Sequence, residues 1–302
     1  MEALPQTLLF GVLRSGLYAL TSLGLAISLG VIGVVNFAHG EFVMLGAYIG
    51  FWTYLALSGP LGLGPQVSPL VLLLGIPASG IALFLVGRGV FRLTLRPLLS
   101  RPELDQMLLT FGLAILVQNL AVILFSPQAL DANLGWRFEL LQLPLGTVSL
   151  TYARIASFAV SMGLVAAVYL LLARTPFGTQ MRAVAQNRLG ALVVGINVDR
   201  VYEIAFGLSL ALAAAAGVTL VFQTQVSPFL GLATILKAFS IVVLAGLGNL
   251  FGVVWASLLL GVAEQLVSQY VPNGAALRDG LFFLIIFLVL LLRPGGIGRT
   301  AR

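Results

Sequence analysis

The sequence predicts an all-α polytopic membrane protein, and three observations carry that expectation. Of 302 residues, 60% are hydrophobic and only 9% are charged, whereas about a quarter of a soluble domain is charged. A solvated exterior cannot be assembled from so few charges, but a chain solvated by lipid needs them only at its ends and loops. Long apolar runs recur along the chain, and the basic residues gather in short clusters between them. That arrangement fits membrane topology and not a single nucleic-acid-binding patch, despite the net charge of +6. Cysteine is absent, which excludes disulfides, thiol catalysis and thiolate metal sites and leaves the redox compartment open.

Apolar runs near the roughly 20 residues a helix needs to cross a bilayer core occupy 7–29, 42–57, 69–86, 107–125, 152–173, 201–222, 250–271 and 277–292. Two shorter pieces, 30–38 and 235–246, are each followed by a glycine-containing polar break, His39-Gly40-Glu41 and Gly248-Asn249. Residues 1–6 carry no basic stretch and the apolar run after them has no small-residue cleavage site, so the first run is read as a retained span. Arginine is concentrated in 88–105, in 174–200 and in the tail (Arg293, Arg299, Arg302), which places these segments in the cytoplasm; 58–68, 126–151 and 223–237 are poor in positive charge and face outward. With both termini cytoplasmic, parity requires about eight full transmembrane helices plus two short broken or re-entrant helices. No linker or charge run divides the chain, so residues 1–302 are read as one membrane domain with a cytoplasmic loop at 174–200. A faint internal similarity between 34–50 and 242–258 raises the possibility of a repeat, which is common in transporters.

Polar residues at membrane depth are expensive and need a reason. Asn36, His39, Gly40 and Glu41 form a first group: a break there exposes a helix N-terminus to a polar solute, or these groups merely cap the next helix. Gly246, Gly248 and Asn249 form a second, with Gly252, Ser257 and Gly261 read as packing residues. Glu264, downstream, belongs either to the pathway or to the interface. In the loop 174–200, Met181, Ala185, Leu189 and Leu192 recur at helical spacing while Arg182, Gln186 and Asn187 fall on another face, which predicts a short amphipathic helix between 178 and 194. Such a helix lies on the lipid surface or docks a soluble partner. No Gly-rich phosphate loop, nucleophile elbow or metal-ligand set occurs, and an enzyme is not expected.

Three blocks carry a resemblance. Asn36-Phe37-Ala38-His39-Gly40-Glu41 with Leu45-Gly46-Ala47-Tyr48, the run RAVAQNRLGALVVGINVDRV from Arg182, and the run KAFSIVVLAGLGNLFGVVWASLLLGVAE from Lys237 together resemble LivH-like permeases, the membrane subunits of bacterial ABC importers for branched-chain amino acids. Order and spacing agree along nearly the whole chain, with one departure, Leu244-Ala245-Gly246-Leu247-Gly248-Asn249 where many relatives have a Gly-Gly-x-Gly-Ser arrangement. The resemblance implies a permease in the bacterial inner membrane with no cofactor of its own. It also implies a heterodimer with a second related permease, two cytoplasmic ATPase subunits that bind ATP and Mg, and a periplasmic solute-binding protein. It places Arg182, Ala183, Gln186, Asn187, Gly195 and Asn197 in the ATPase-coupling loop. It leaves the solute open, since related permeases serve urea and short amides. An ion- or proton-coupled secondary transporter titrating at Glu41, His39 or Glu264 is a rival reading, and a membrane scaffold without flux is another.

Overall fold

A computed structural model describes residues 3–59, 67–137, 139–142, 149–246 and 248–292. Eleven α-helices account for most of them: α1 (Ala3–Ile32), α2 (His39–Ser58), α3 (Ser68–Val90), α4 (Glu103–Phe125), α5 (Tyr152–Arg174), α6 (Pro176–Gln186), α7 (Arg188–Val193), α8 (Val198–Leu220), α9 (Leu230–Ala245), α10 (Leu250–Tyr270) and α11 (Gly274–Leu292). A two-stranded antiparallel hairpin, β1 (Leu140–Gln142) and β2 (Ser149–Thr151), precedes α5. α3 runs on through a π-helical stretch, Phe91–Leu95, and a 3-10 turn, Arg96–Leu98. Every one of the eight long apolar runs is a helix, and seven helices among the described residues are long and apolar enough to cross a membrane.

α8 is the hub, packed against α1, α2 and α3, while α1 also packs along α10 and α5. Its run Ala213, Ala214, Ala215, Ala216, Gly217 is buried, and these small side chains let neighbouring backbones approach closely, as membrane helices require in the absence of a hydrophobic driving force between them. At Gly217 a Cβ would run into the Val43 carbonyl oxygen of α2.

The two short apolar pieces turn out differently. Residues 30–32 finish α1, and 33–38 is irregular, with Gly33 at φ +85°; this piece is a connector and not a short helix. The second piece belongs to α9, which begins at Leu230 and has 16 residues. One short helix therefore replaces the expected two. The regions 34–50 and 242–258 also differ in backbone, irregular at 34–38 but helical at 242–245, so the internal repeat is not upheld.

Sidedness follows from contacts. Arg88 and Arg92 bind Glu203 and Arg96 binds Asp199, so the end of α3 and the start of α8 share the face that carries α6 and α7. On the other face Leu130 pairs with Val226, and the Trp136 amide donates to Ser68 Oγ. The basic segments expected to share a side do so; the tail arginines and residues 60–66 lie outside the described residues. α1 runs antiparallel to α10, Gly11 lying against Val262 and Gly30 against Gly248, and Tyr169, near the α6 end of α5, bonds the Leu250 carbonyl. Ala3 is thus at the face remote from α6 and Leu292 at the near face. The expectation that both ends share a face counted 30–38 as a crossing, and that crossing is absent.

Candidate functional site: a cation-lined cavity

Four helices that the sequence presents as apolar spans carry a cation inside them: Arg14 in α1, Arg154 in the first turn of α5, Lys237 in α9 and Arg278 in the first turns of α11. The fold brings all four, with Arg137 of the α4–α5 connection, to the wall of one cavity of about 500 Å³. Its other lining residues include Leu17, Tyr18, Thr21 and Ser22 of α1, Val43 of α2, Leu220 at the end of α8 with Phe222, Gln223 and Thr224 just beyond it, and Leu230, Ala233, Thr234 and Ala238 of α9. The α5 and α8 contributions come from the ends remote from α6 and α7, so the cavity opens on the opposite face and its floor, Thr21, Ser22 and Val43, lies within the bundle.

Glu264 forms the counter-charge. Its side chain is fully buried; it accepts from Tyr18 Oη, takes an ion pair from Lys237 Nζ at 2.9 Å, and lies 3.5 Å from Arg14 Nε. Arg14 Nε also donates to Tyr18 Oη at 2.9 Å. Of the two readings open for Glu264 in the sequence, the interface one fails, because a carboxylate at the lipid boundary would be exposed. It instead fixes two cavity cations, and a buried carboxylate so paired avoids the several kcal/mol that an isolated buried charge costs.

Beneath the floor lies the first break. Asn36 Oδ1 accepts from the Ala38 amide (3.1 Å) in the turn before α2, and His39 Nε2 sits 3.0 Å from the Thr21 carbonyl oxygen of α1; neither side chain caps α2, whose N-cap residue is Ala38. Their other polar atoms, Asn36 Nδ2 and His39 Nδ1, together with Glu41 Oε2 and Tyr48 Oη, meet no hydrogen-bond partner among the described residues and are buried. Native structures rarely leave buried polar atoms unpaired, and four in neighbouring turns mark a place where water, solute or a rearranged backbone completes the bonding. Gly40 and the Glu41 carboxylate press on Gly231 of α9, where a methyl group would run into the carboxylate.

The second break is satisfied within itself. Gly246 and Gly248 have φ of +89° and +84°, a region that favours glycine, and Asn249 Oδ1 accepts from the Gly252 amide at 2.9 Å to cap α10. Leu247 lies outside the described residues. Asn249 lines a separate, largely apolar groove with Trp255 and Phe251, so the structure does not bring the second break to the cation-lined cavity.

At the opposite face the single expected amphipathic helix is two. Asn187 interrupts it, its Oδ1 accepting from the Gly190 amide at 2.8 Å to cap α7, and Asn197 caps α8 in the same way through the Arg200 amide. Arg182 donates to the Leu172 carbonyl oxygen and to Thr179 Oγ1, which pins α6 to the end of α5. Ala183 is half-buried, Gln186 is exposed, and Gly195 stands in open space at φ +84°. The packed face is Gly178, Met181, Val184 and Ala191; of the expected apolar stripe Met181 lies on it, and Ala185, Leu189 and Leu192 are exposed. Leu189, Val193 and Val194 are 74%, 87% and 74% exposed.

Comparison with known proteins places the chain in a family. The family model described as "Branched-chain amino acid transport system / permease component" matches residues 7–290. The high-affinity branched-chain amino acid transport system permease protein BraD of Pseudomonas aeruginosa is 33% identical over 97% of this chain and 94% of its own. Permease protein LivH of the same-named system in Escherichia coli K12 is 30% identical, with the same two coverages. The permease protein LivM of Escherichia coli K12, from the system of that name, is 28% identical over 93% of this chain and 67% of its own. A family match over nearly the whole length, and a relative one-third identical end to end, make this chain a member of the branched-chain amino acid transport system permease family.

Proposed function

We propose that this chain is the membrane-embedded permease subunit of a bacterial ABC importer that passes branched-chain, hydrophobic amino acids across the inner membrane. Energy comes from ATP hydrolysis on two separate cytoplasmic subunits, which bind the ATP and Mg. The observation that carries the reading is the pairing of a solute-sized cavity on one face with an exposed apolar helix, α7, on the other. The first receives a solute from a periplasmic binding protein and the second offers an ATPase a grip that a lipid-facing helix would not need to project. Both cations and apolar side chains line the cavity, which suits a solute that has a carboxylate and a hydrocarbon. The chain resembles both LivH and LivM, two permeases whose names place them in one system, and this supports a heterodimer with a second related permease.

Alternating access then has a concrete form. Closure of the ATPases moves α6 and α7, Arg182 transmits the motion to α5, and the irregular connector 33–38 below the floor rearranges with the start of α2, where Asn36, His39 and Glu41 change partners between the two states. The test is reconstitution of the co-purified complex in vesicles. Leucine uptake should require ATP and the binding protein, and Gln186→Glu or Val193→Asp should lower it several-fold while the protein stays in the membrane. Uptake driven by an ion gradient in vesicles that hold no ATPase would overturn the reading in favour of a secondary transporter.

A further inference from the structure

Resting on that reading, we propose that Arg154 is the carboxylate-recognition residue of the permease, receiving the solute's carboxylate in the cavity independently of the binding protein. Five cations line the cavity, and three of them are engaged by carboxylates: Arg137 with Asp131, Arg14 and Lys237 with Glu264. Arg154 differs from these three. It forms no hydrogen bond and no ion pair with any described residue, and its guanidinium sits 4.0 Å over the Phe10 ring. Its five N–H donors meet no acceptor on any described residue while the Phe10 ring holds its position, and a guanidinium so placed is the side chain best matched to a carboxylate, which it takes through two parallel hydrogen bonds.

Apart from the Phe10 ring, the local electrostatics disfavour an arginine here. A cation in the first turn of α5 opposes the helix dipole, which favours negative charge at that end, and it shares the cavity wall with the like charge of Arg14. The local packing instead fixes where it points from: Leu13 and Leu150 are buried together, with Phe10, Ile155 and Phe158 packed on them, so α1, β2 and the start of α5 form one apolar wedge behind the guanidinium. The hydrocarbon of the solute then has Leu17, Val43, Leu220 and Leu230 across the same space. Because the other charged walls are cationic, the solute's ammonium contributes little, and the site selects hydrophobic carboxylates.

The test uses the purified complex in lipid nanodiscs without the binding protein, probed by saturation-transfer NMR with leucine, 4-methylpentanoate and 3-methylbutylamine. Both acids should give signal and the amine none; Arg154→Gln should weaken acid binding on the order of ten- to a hundredfold, the usual worth of a hydrogen bond to a charged group, and Arg154→Lys should recover part of it. Equal binding of acid and amine, competition by inorganic phosphate as strong as that by 4-methylpentanoate, or unchanged binding in Arg154→Gln would overturn the assignment. If the glutamine variant fails to assemble, the acid–amine comparison on the unmodified complex decides. A wild-type complex that imports leucine with ATP yet binds no acid in this assay sinks the Arg154 site alone; one that imports no leucine sinks the functional reading.

Discussion

The bundle carries arginines at both ends, and carboxylates engage Arg88, Arg92 and Arg96 at one end but not Arg154 at the other. At the α6 face Arg88 and Arg92 clamp the two oxygens of Glu203 at 2.5 and 2.6 Å, and Arg96 meets Asp199 at 2.7 Å. These pairs tie α3 to α8 and use the cations' charge inside the protein. At the cavity face the carboxylates engage some cations and leave Arg154 with an aromatic neighbour only. The same residue type therefore braces helices where a carboxylate opposes it and offers a surface to solute where none does. Position in the membrane does not separate the two groups; the partner does.

The contrast is sharpest at its most buried point. Glu264 holds Lys237 and Arg14 with its side chain 1% exposed, so Glu264→Gln leaves two cations without their counter-ion in a confined space. Removing one partner of a buried pair costs about 3–5 kcal/mol, and a loss near 3 kcal/mol is expected because Arg14 is one-third exposed. Thermal unfolding in detergent would read it. A fall under about 1 kcal/mol would mean that the cavity solvates these cations well enough to need no carboxylate. Glu203→Gln, at the other end, should matter less. Its arginines are 37% and 58% exposed and regain water when released, so about 1 kcal/mol is expected in the same assay; a loss equal to that at Glu264 would erase the distinction between a wet end and a dry one.

These charges also show where sequence reading succeeds and where it stops. The eight apolar runs became helices within a few residues of their ends, because run length and the Arg, Pro and Gly residues that bound each run act locally. The apolar composition of 33–38 suggests helix but says nothing of backbone, whereas Gly33 at positive φ and the Asn36 turn make it a connector. α9 begins at Leu230, five residues before the apolar piece at 235–246, and within that extra turn Gly231 is small enough to sit under the Glu41 carboxylate. Asn187 looked like a polar face residue and is a cap. The cavity went unseen for a different reason. Arg14, Arg154 and Arg278 lie more than a hundred residues apart, and no spacing rule unites them; the available signal was each one's presence inside an apolar span, where an ionisable residue is a functional candidate by default.

Arg154→Gln gives the smallest stability effect and the most discriminating one. Three contributions enter. Loss of the guanidinium over Phe10 removes a cation–π contact worth about 0.5–1 kcal/mol at a partly exposed site. Against it, the variant relieves a cation at a helix N-terminus, about 0.3–1 kcal/mol, and the like-charge opposition to Arg14 across the cavity. The net change should lie within about 0.5 kcal/mol of zero, unlike Glu264→Gln or Glu203→Gln. A shift of several kcal/mol in thermal unfolding would show that Arg154 braces the fold as Arg88 and Arg92 do. An unshifted midpoint with lost leucine import would place it on the other side of the comparison, as a charge kept available for the solute.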